Sequence, residues 1–177
     1  DYISQLIRND SVEEFIIYTT KNCISLVSKI KPSIFETNSF LNNNKPNLIE
    51  YSMFYGSISI FNYLRMNYVD LKPSLWLYAI HSRNPSLIHS LEEFNVQPPE
   101  DSYVSCLKVA IECHHNEIAE YISDNLIDQQ ELNSFKIFDS FLSSRNYFYL
   151  SNDIDINYLV FYCCKLNNAL VLNVLLN

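Results

Sequence analysis

The sequence predicts an all-α fold, a solenoid of repeated helical hairpins, on three observations. Apolar residues recur at i, i+3 and i+4, as in Leu48-Ile49-x-x-Ser52-x-x-Tyr55, Leu75-Trp76-x-x-Ala79-Ile80 and Leu107-x-x-Ala110-Ile111, which is the spacing of a buried helical stripe. Strand-like alternation is nearly absent. After each stripe comes a tight polar or small break and then a second stripe, Ile60-Phe61-x-x-Leu64, Leu87-Ile88-x-x-Leu91 or Ile118-Ala119-x-x-Ile122, so the unit is a helix pair.

From the N-terminus, Tyr2-Ile3-x-x-Leu6-Ile7 is one stripe and Val12-x-x-Phe15-Ile16 the second, separated by Asn9-Asp10-Ser11, a break and N-cap with Glu13 and Glu14 in the favourable first turn. Lys31-Pro32 and the polar run Asn42-Asn43-Asn44-Lys45-Pro46 read as a linker, so residues 1–45 are expected to be an N-terminal hairpin, cap and linker. The repeats then occupy 46–71, 72–102, 103–127, a degenerate 128–155 and a truncated 156–177. That makes about five to six helix pairs.

Four of the units share one internal register. Gly56, Arg83, His114 and Asn167 are the equivalent turn positions, each four residues after a small residue: Ser52, Ala79, Ala110 and Cys163. The turns are 27 and 31 residues apart and then 53, a gap with room for one more unit, which Phe135 to Asn152 is expected to fill. A period in this range means stacked units, none able to bury its apolar face alone.

Composition excludes several functions. Gly56 is the only glycine, so no dinucleotide fingerprint, P-loop or G-x-S-x-G elbow can be present. A net charge of −8 with scattered Lys and Arg argues against nucleic acid, which demands clustered cations. No apolar run is long enough to cross a bilayer, so no membrane insertion is expected. Five cysteines without regular spacing point to a reducing, cytoplasmic setting rather than a disulfide framework.

The stretch Glu112-Cys113-His114-His115-Asn116-Glu117 looks like a metal or catalytic site until it is placed in the register. A zinc site needs three or four convergent ligands, whereas consecutive residues point in different directions. His114 then reads as a turn residue, and no metal, cofactor or catalytic residue is expected. Cys163 and Cys106 read as packing groups, and Trp76 as a buried replacement for a core leucine.

The unit resembles a degenerate ankyrin repeat. Ser105-Cys106-Leu107-Lys108-Val109-Ala110 is similar to the T-P-L-H-x-A opening, Asn167 to Leu176 to the second helix, and Asp153-Ile154-Asp155-Ile156-Asn157 to the G-A-D-x-N loop. No unit has the motif's proline, and the first two are several residues short, which implies shortened fingers. Residues 1–125 also resemble a domain of unknown function that precedes ankyrin repeats in large protist protein families, through LIRNDSVEEF, KPSIFETNSFL, LIEYSMFYGSISIFNYLR and PSLWLYAIHS. That resemblance implies further repeats beyond Asn177.

The expected role is a non-enzymatic module that binds a protein partner through the repeat groove, the alternative being an assembly scaffold subunit of a longer ankyrin protein or complex. In ankyrin-type stacks the first-helix face lines the groove, which nominates Tyr51, Phe54, Tyr55, Tyr78, His81, Ser82, Glu112 and His115 as partner-binding residues. Tyrosine supplies rigid aromatic contact of the kind enriched at interfaces. The acidic balance favours partners with basic patches, chiefly through association rate.

Overall fold

The computed structural model describes residues 1–128, 140, 143–146, 156–165, 167 and 169–176. The regular structure of those residues is all helical, with no strand among them beyond an isolated antiparallel bridge between Lys29 and Asn47. The chain divides into two compact units, Asp1–Asp101 and Ser102–Asn177.

The first unit holds three hairpins and one extra helix. Its helices are α1 (Tyr2–Arg8), α2 (Val12–Lys21), α3 (Ser39–Asn44), α4 (Leu48–Tyr55), α5 (Ile58–Met66), α6 (Leu75–Ser82) and α7 (Pro85–Glu93). Within each hairpin α1 packs on α2, α4 on α5 and α6 on α7. Between hairpins, α4 packs against both α1 and α6, while α2 packs on α5. Aromatic contacts tie the second helices together: Phe15 meets Tyr63 edge-on at 6.1 Å, and the Arg65 guanidinium lies 4.2 Å from the centre of the Phe94 ring.

The core of this unit is the set of stripes read from the sequence. Ile7, Phe15, Leu48, Ile49, Ile60, Phe61, Leu64, Leu75, Ile80, Leu87 and Leu91 are fully or almost fully buried. Trp76 is fully buried as well, and its indole N–H donates to the Val96 carbonyl at 2.8 Å, so its one polar atom is satisfied. Asn47 and Glu50 start α4 with a reciprocal capping box, and Ser74 donates to the free Glu50 oxygen at 2.9 Å, linking that cap to the start of α6.

The break expected at 45/46 falls inside this first unit. Residues 31–45 do not leave the body of the protein. Ile30 N–H donates to Pro46 O at 2.8 Å and Leu48 N–H to Ser28 O at 3.1 Å, which pinches the segment at its neck. Asn38 caps α3 by accepting from Leu41 N–H, and Leu41 is buried. The polar asparagine run that reads as a linker is the end of this short helix and its left-handed stop at Lys45.

The second unit contains α8 (Val104–Glu112), α9 (Asn116–Asn125), α10 (Ile156–Lys165) and α11 (Ala169–Leu176). Here α8 packs on α9, and α10 on α11. Cys106, Leu107, Ala110, Ile111, Ala119 and Ile122 are buried. Of the expected degenerate unit 128–155, only residues 128, 140 and 143–146 are described; the rest, including the Asp153 to Asp155 part of the loop motif, lies outside the described residues.

Candidate functional site

Backbone geometry accounts for the histidine pair at His114 and His115. Gly56, Arg83, His114 and Asn167 have φ of +74°, +55°, +57° and +52°, so the four aligned turn positions share the left-handed conformation that favours glycine. Asp10, at φ +50°, makes the same turn in the first hairpin. The closing bonds recur too: Ser11 N–H donates to Leu6 O, Ser57 N–H to Ser52 O, and His115 N–H to Ala110 O. These six-residue closures end the first helix and start the second.

At three turns the following residue binds the hairpin before it. Ser57 Oγ donates to Ile7 O, and Asn146 Nδ2 donates to Ile111 O at 2.9 Å, the carbonyl three residues before the turn in both cases. Asn84 Nδ2 reaches Gly56 O at 3.5 Å, a longer contact at the same level. Asp10 adds a second tie by accepting from Ser59 N–H and Ile60 N–H at 2.9 Å, so its carboxylate caps α5 from the neighbouring hairpin. His114 Nε2 sits 3.1 Å from Ser144 O, and His115 is the N-cap residue of α9. The pair belongs to this turn architecture.

Arg145, at φ +58°, is the turn that the sequence alone left unplaced. It lies 31 residues after His114, the same step as from Arg83 to His114. A legible signal was present: Ser82-Arg83-Asn84 recurs as Ser144-Arg145-Asn146.

The nominated groove residues of the first unit form one aromatic and charged cluster. Tyr51 and Tyr78, expected as open aromatic anchors, are only 2% and 3% exposed. The reason is the returning segment 31–45. Phe40 of α3 stacks nearly parallel to Phe54 with centroids 6.1 Å apart, meets Tyr78 edge-on at 4.9 Å and lies 4.1 Å from His81. Phe54 and Tyr55 are half-buried, as are His81 and Ser82, whose hydroxyl is turned inward onto Ala79 O at 2.6 Å.

Beside these rings runs a polar chain. Arg8 Nε donates to the Tyr51 hydroxyl at 2.9 Å, Arg8 Nη2 to Glu36 Oε2 at 2.9 Å, and the Tyr55 hydroxyl to the same carboxylate oxygen at 3.2 Å. The guanidinium also lies 4.8 Å from the Tyr55 ring centre. Burial pushes the Tyr55 phenol above its ordinary value, and its bond to Tyr51 adds to this, so it donates as a neutral group. Burial does the same to Tyr78, with the Glu50 charge adding.

In the second unit Glu112 is exposed and His115 half-buried. The thiols are poorly suited to nucleophilic work. Burial raises Cys106 to about 12, and burial with the Glu112 charge raises Cys113 to about 11, so both stay protonated at neutral pH. Cys163 is raised by burial in the same sense. All five cysteines are free thiols. Among the described residues no group of three or more His, Cys, Asp and Glu is placed to hold a metal ion, and no helix is long and apolar enough to cross a membrane.

The cluster's lid was missed by sequence reading, because Glu36, Phe40 and Leu41 sit in a stretch dominated by Asn, Ser and Pro. The two apolar residues of Ser39-Phe40-Leu41 and the Asn38 cap were the available signal. No family model, curated protein or solved structure matches the chain.

Proposed function

We propose that the chain is an ankyrin-like solenoid that binds a protein partner and carries no catalysis of its own. The observation that carries this reading is the recurrence of left-handed backbone at two fixed places in each hairpin of the first unit. One is the turn already described; the other is the exit of the second helix, at Cys23, Tyr68 and Asn95, with φ of +49°, +62° and +51°. After each exit an apolar residue follows, Ile24, Val69 or Val96, and its N–H closes onto the helix, as Val69 does on Leu64 O at 3.2 Å. The ankyrin pattern carries its glycines at these two places, so the resemblance and the backbone support one another.

The binding reading rests on the first-helix positions. Phe54, Tyr55 and His81 form an aromatic face in the first unit, and Glu112 offers an exposed carboxylate at the corresponding position of α8. Free, protonated thiols fit a reducing cytoplasmic setting and do not favour a cysteine hydrolase.

The test is capture. Immobilised chain should retain a partner from a cell extract, identified by mass spectrometry, and retention should fall at least ~tenfold in a Phe54→Ala/His81→Ala/Glu112→Lys variant with unchanged helical circular dichroism. Retention untouched by those changes would remove the groove. Stoichiometric zinc that is lost on His114→Ala would overturn the non-catalytic reading, and self-association of the purified chain would favour the assembly subunit.

A further inference from the structure

Residues 31–45 form a loop with a closed neck, tied by the Ile30 to Pro46 and Leu48 to Ser28 bonds, the arrangement of an Ω-loop. A proline stands at each end of the neck, Pro32 and Pro46. Two side chains carry the loop's contact with the first-helix face. Glu36 takes the Arg8 and Tyr55 bonds, and Phe40 fills the space among Phe54, Tyr78 and His81.

Apart from the buried Leu41, the rest of the loop is loosely seated. Between it and α1 lies a cavity of about 260 Å³, lined on one side by Ser4, Gln5 and Arg8 and on the other by Pro32, Glu36 and Asn42. The cavity is rimmed by exposed residues such as Lys31 and Phe35, so it opens to solvent and the loop gains little packing there. Its tip faces outward, with Ile34 and Phe35 at 92% and 85% exposure. The ion pair is partly open to water, the Arg8 side chain being 42% exposed, and is therefore weakened by salt.

We propose that residues 31–45 are a displaceable strap, and that the surface beneath them docks a protein segment bearing a carboxylate and an aromatic ring at the strap's own spacing, that of Glu36 and Phe40. This deepens the interaction-module reading and rests on it. The strap is an intramolecular example of the ligand. When it leaves, Glu36 leaves too, so Arg8 stands uncompensated and selects an acid locally, although the net charge of −8 slows the approach of acidic partners at low salt. The pocket vacated by Phe40 has three ring walls and selects an aromatic side chain over an aliphatic one.

The probe is a fluorescein-labelled peptide of residues 33–44, SIFETNSFLNNN, titrated with the whole chain and followed by anisotropy. A tethered strap competes at an effective concentration on the order of 1 mM, so the unaltered chain should bind the peptide at least ~tenfold more weakly than a Glu36→Gln/Phe40→Ala chain. Peptides carrying Glu36→Gln or Phe40→Ala should lose binding to the opened chain, and so should the natural peptide when Arg8→Ala is added to that chain.

Equal binding by the unaltered and opened chains, or binding indifferent to the peptide's own acid and ring, would overturn the proposal. So would dimerisation of the unaltered chain by exchanged straps, because a second copy would then be the occupant. Amide exchange in the unaltered chain guards against a variant that fails to fold: residues 39–44 should exchange well before α4 and α6, and exchange in step with them overturns the strap. Peptide binding without any captured partner would remove the module reading and leave the strap. Partner capture unchanged by Glu36→Gln/Phe40→Ala would do the reverse.

Discussion

Arg83 and His114 occupy a conformation that costs an L-residue about 1–2 kcal/mol relative to its preferred backbone, whereas Gly56 fills the equivalent place at little steric cost. Arg83 is exposed, which makes it the cleaner test. Arg83→Gly is expected to raise stability by roughly 0.5–1 kcal/mol, measured as the urea midpoint, since the gain in allowed φ outweighs glycine's extra chain entropy. Gly56→Ala should lower it by a similar amount. A Cβ there would meet only ordinary contacts, with Asn84 Nδ2 at 3.6 Å, so the loss would come from φ rather than from crowding. Opposite signs at two aligned positions would confirm that one turn is being written twice. Trp76→Phe should cost about 1–3 kcal/mol, because it removes the indole N–H and leaves the Val96 carbonyl in the core without it.

At the level of elements, the hairpins are joined by specific ties as well as by apolar stripes. Asp10→Ala removes the cap that serves two amides of α5 and is expected to destabilise by about 1 kcal/mol, with amide exchange accelerating first at Ser59 and Ile60. The helix pairs themselves were legible in the sequence. Their signal is local: a stripe of period 3.6, a small residue and a turn four residues later, all within one stretch of chain. The small-residue positions read from Ser52, Ala79, Ala110 and Cys163 are all buried. What escaped is the packing of α3 on α4 and α6. Phe40 meets residues 14 to 41 positions further along, and nothing in Ser39-Phe40-Leu41-Asn42 announces such a partner. Tyr51 and Tyr78, nominated from their place on the first helices, are buried, since exposure depends on what covers a face. The turn at Arg145 was legible only as a three-residue echo of an earlier turn, too short to stand against the apolar stripe that usually sets the register.

Across the molecule, alkaline pH is the expected weakness. The Cys106 thiol has an ordinary value of 9.0 and is raised to about 12 in the folded chain, chiefly by burial. Above the ordinary value the unfolded chain binds fewer protons than the folded one, so this group's stabilisation is complete below 9.0 and is lost as pH climbs towards about 12. Tyr55 and Tyr78, both raised by burial from an ordinary 10.0, act in the same direction. The urea midpoint should therefore fall as pH rises above about 9 towards 12, and less steeply in Cys106→Val. The division of the chain at Asp101 and Ser102 carries another expectation: residues 1–101, with a core that includes Trp76, Phe15 and Phe61, should unfold cooperatively when produced alone. The ties between hairpins also have a direction. In four of them the donor comes later in the chain than the acceptor, Ser57 to Ile7, Ser59 to Asp10, Asn84 to Gly56 and Asn146 to Ile111, while Arg8 to Tyr51 and His114 to Ser144 run the other way. A chain leaving the ribosome N-terminus first would have the acceptors of those four already in place when their donors emerge, so each new hairpin could fasten onto the one made before it.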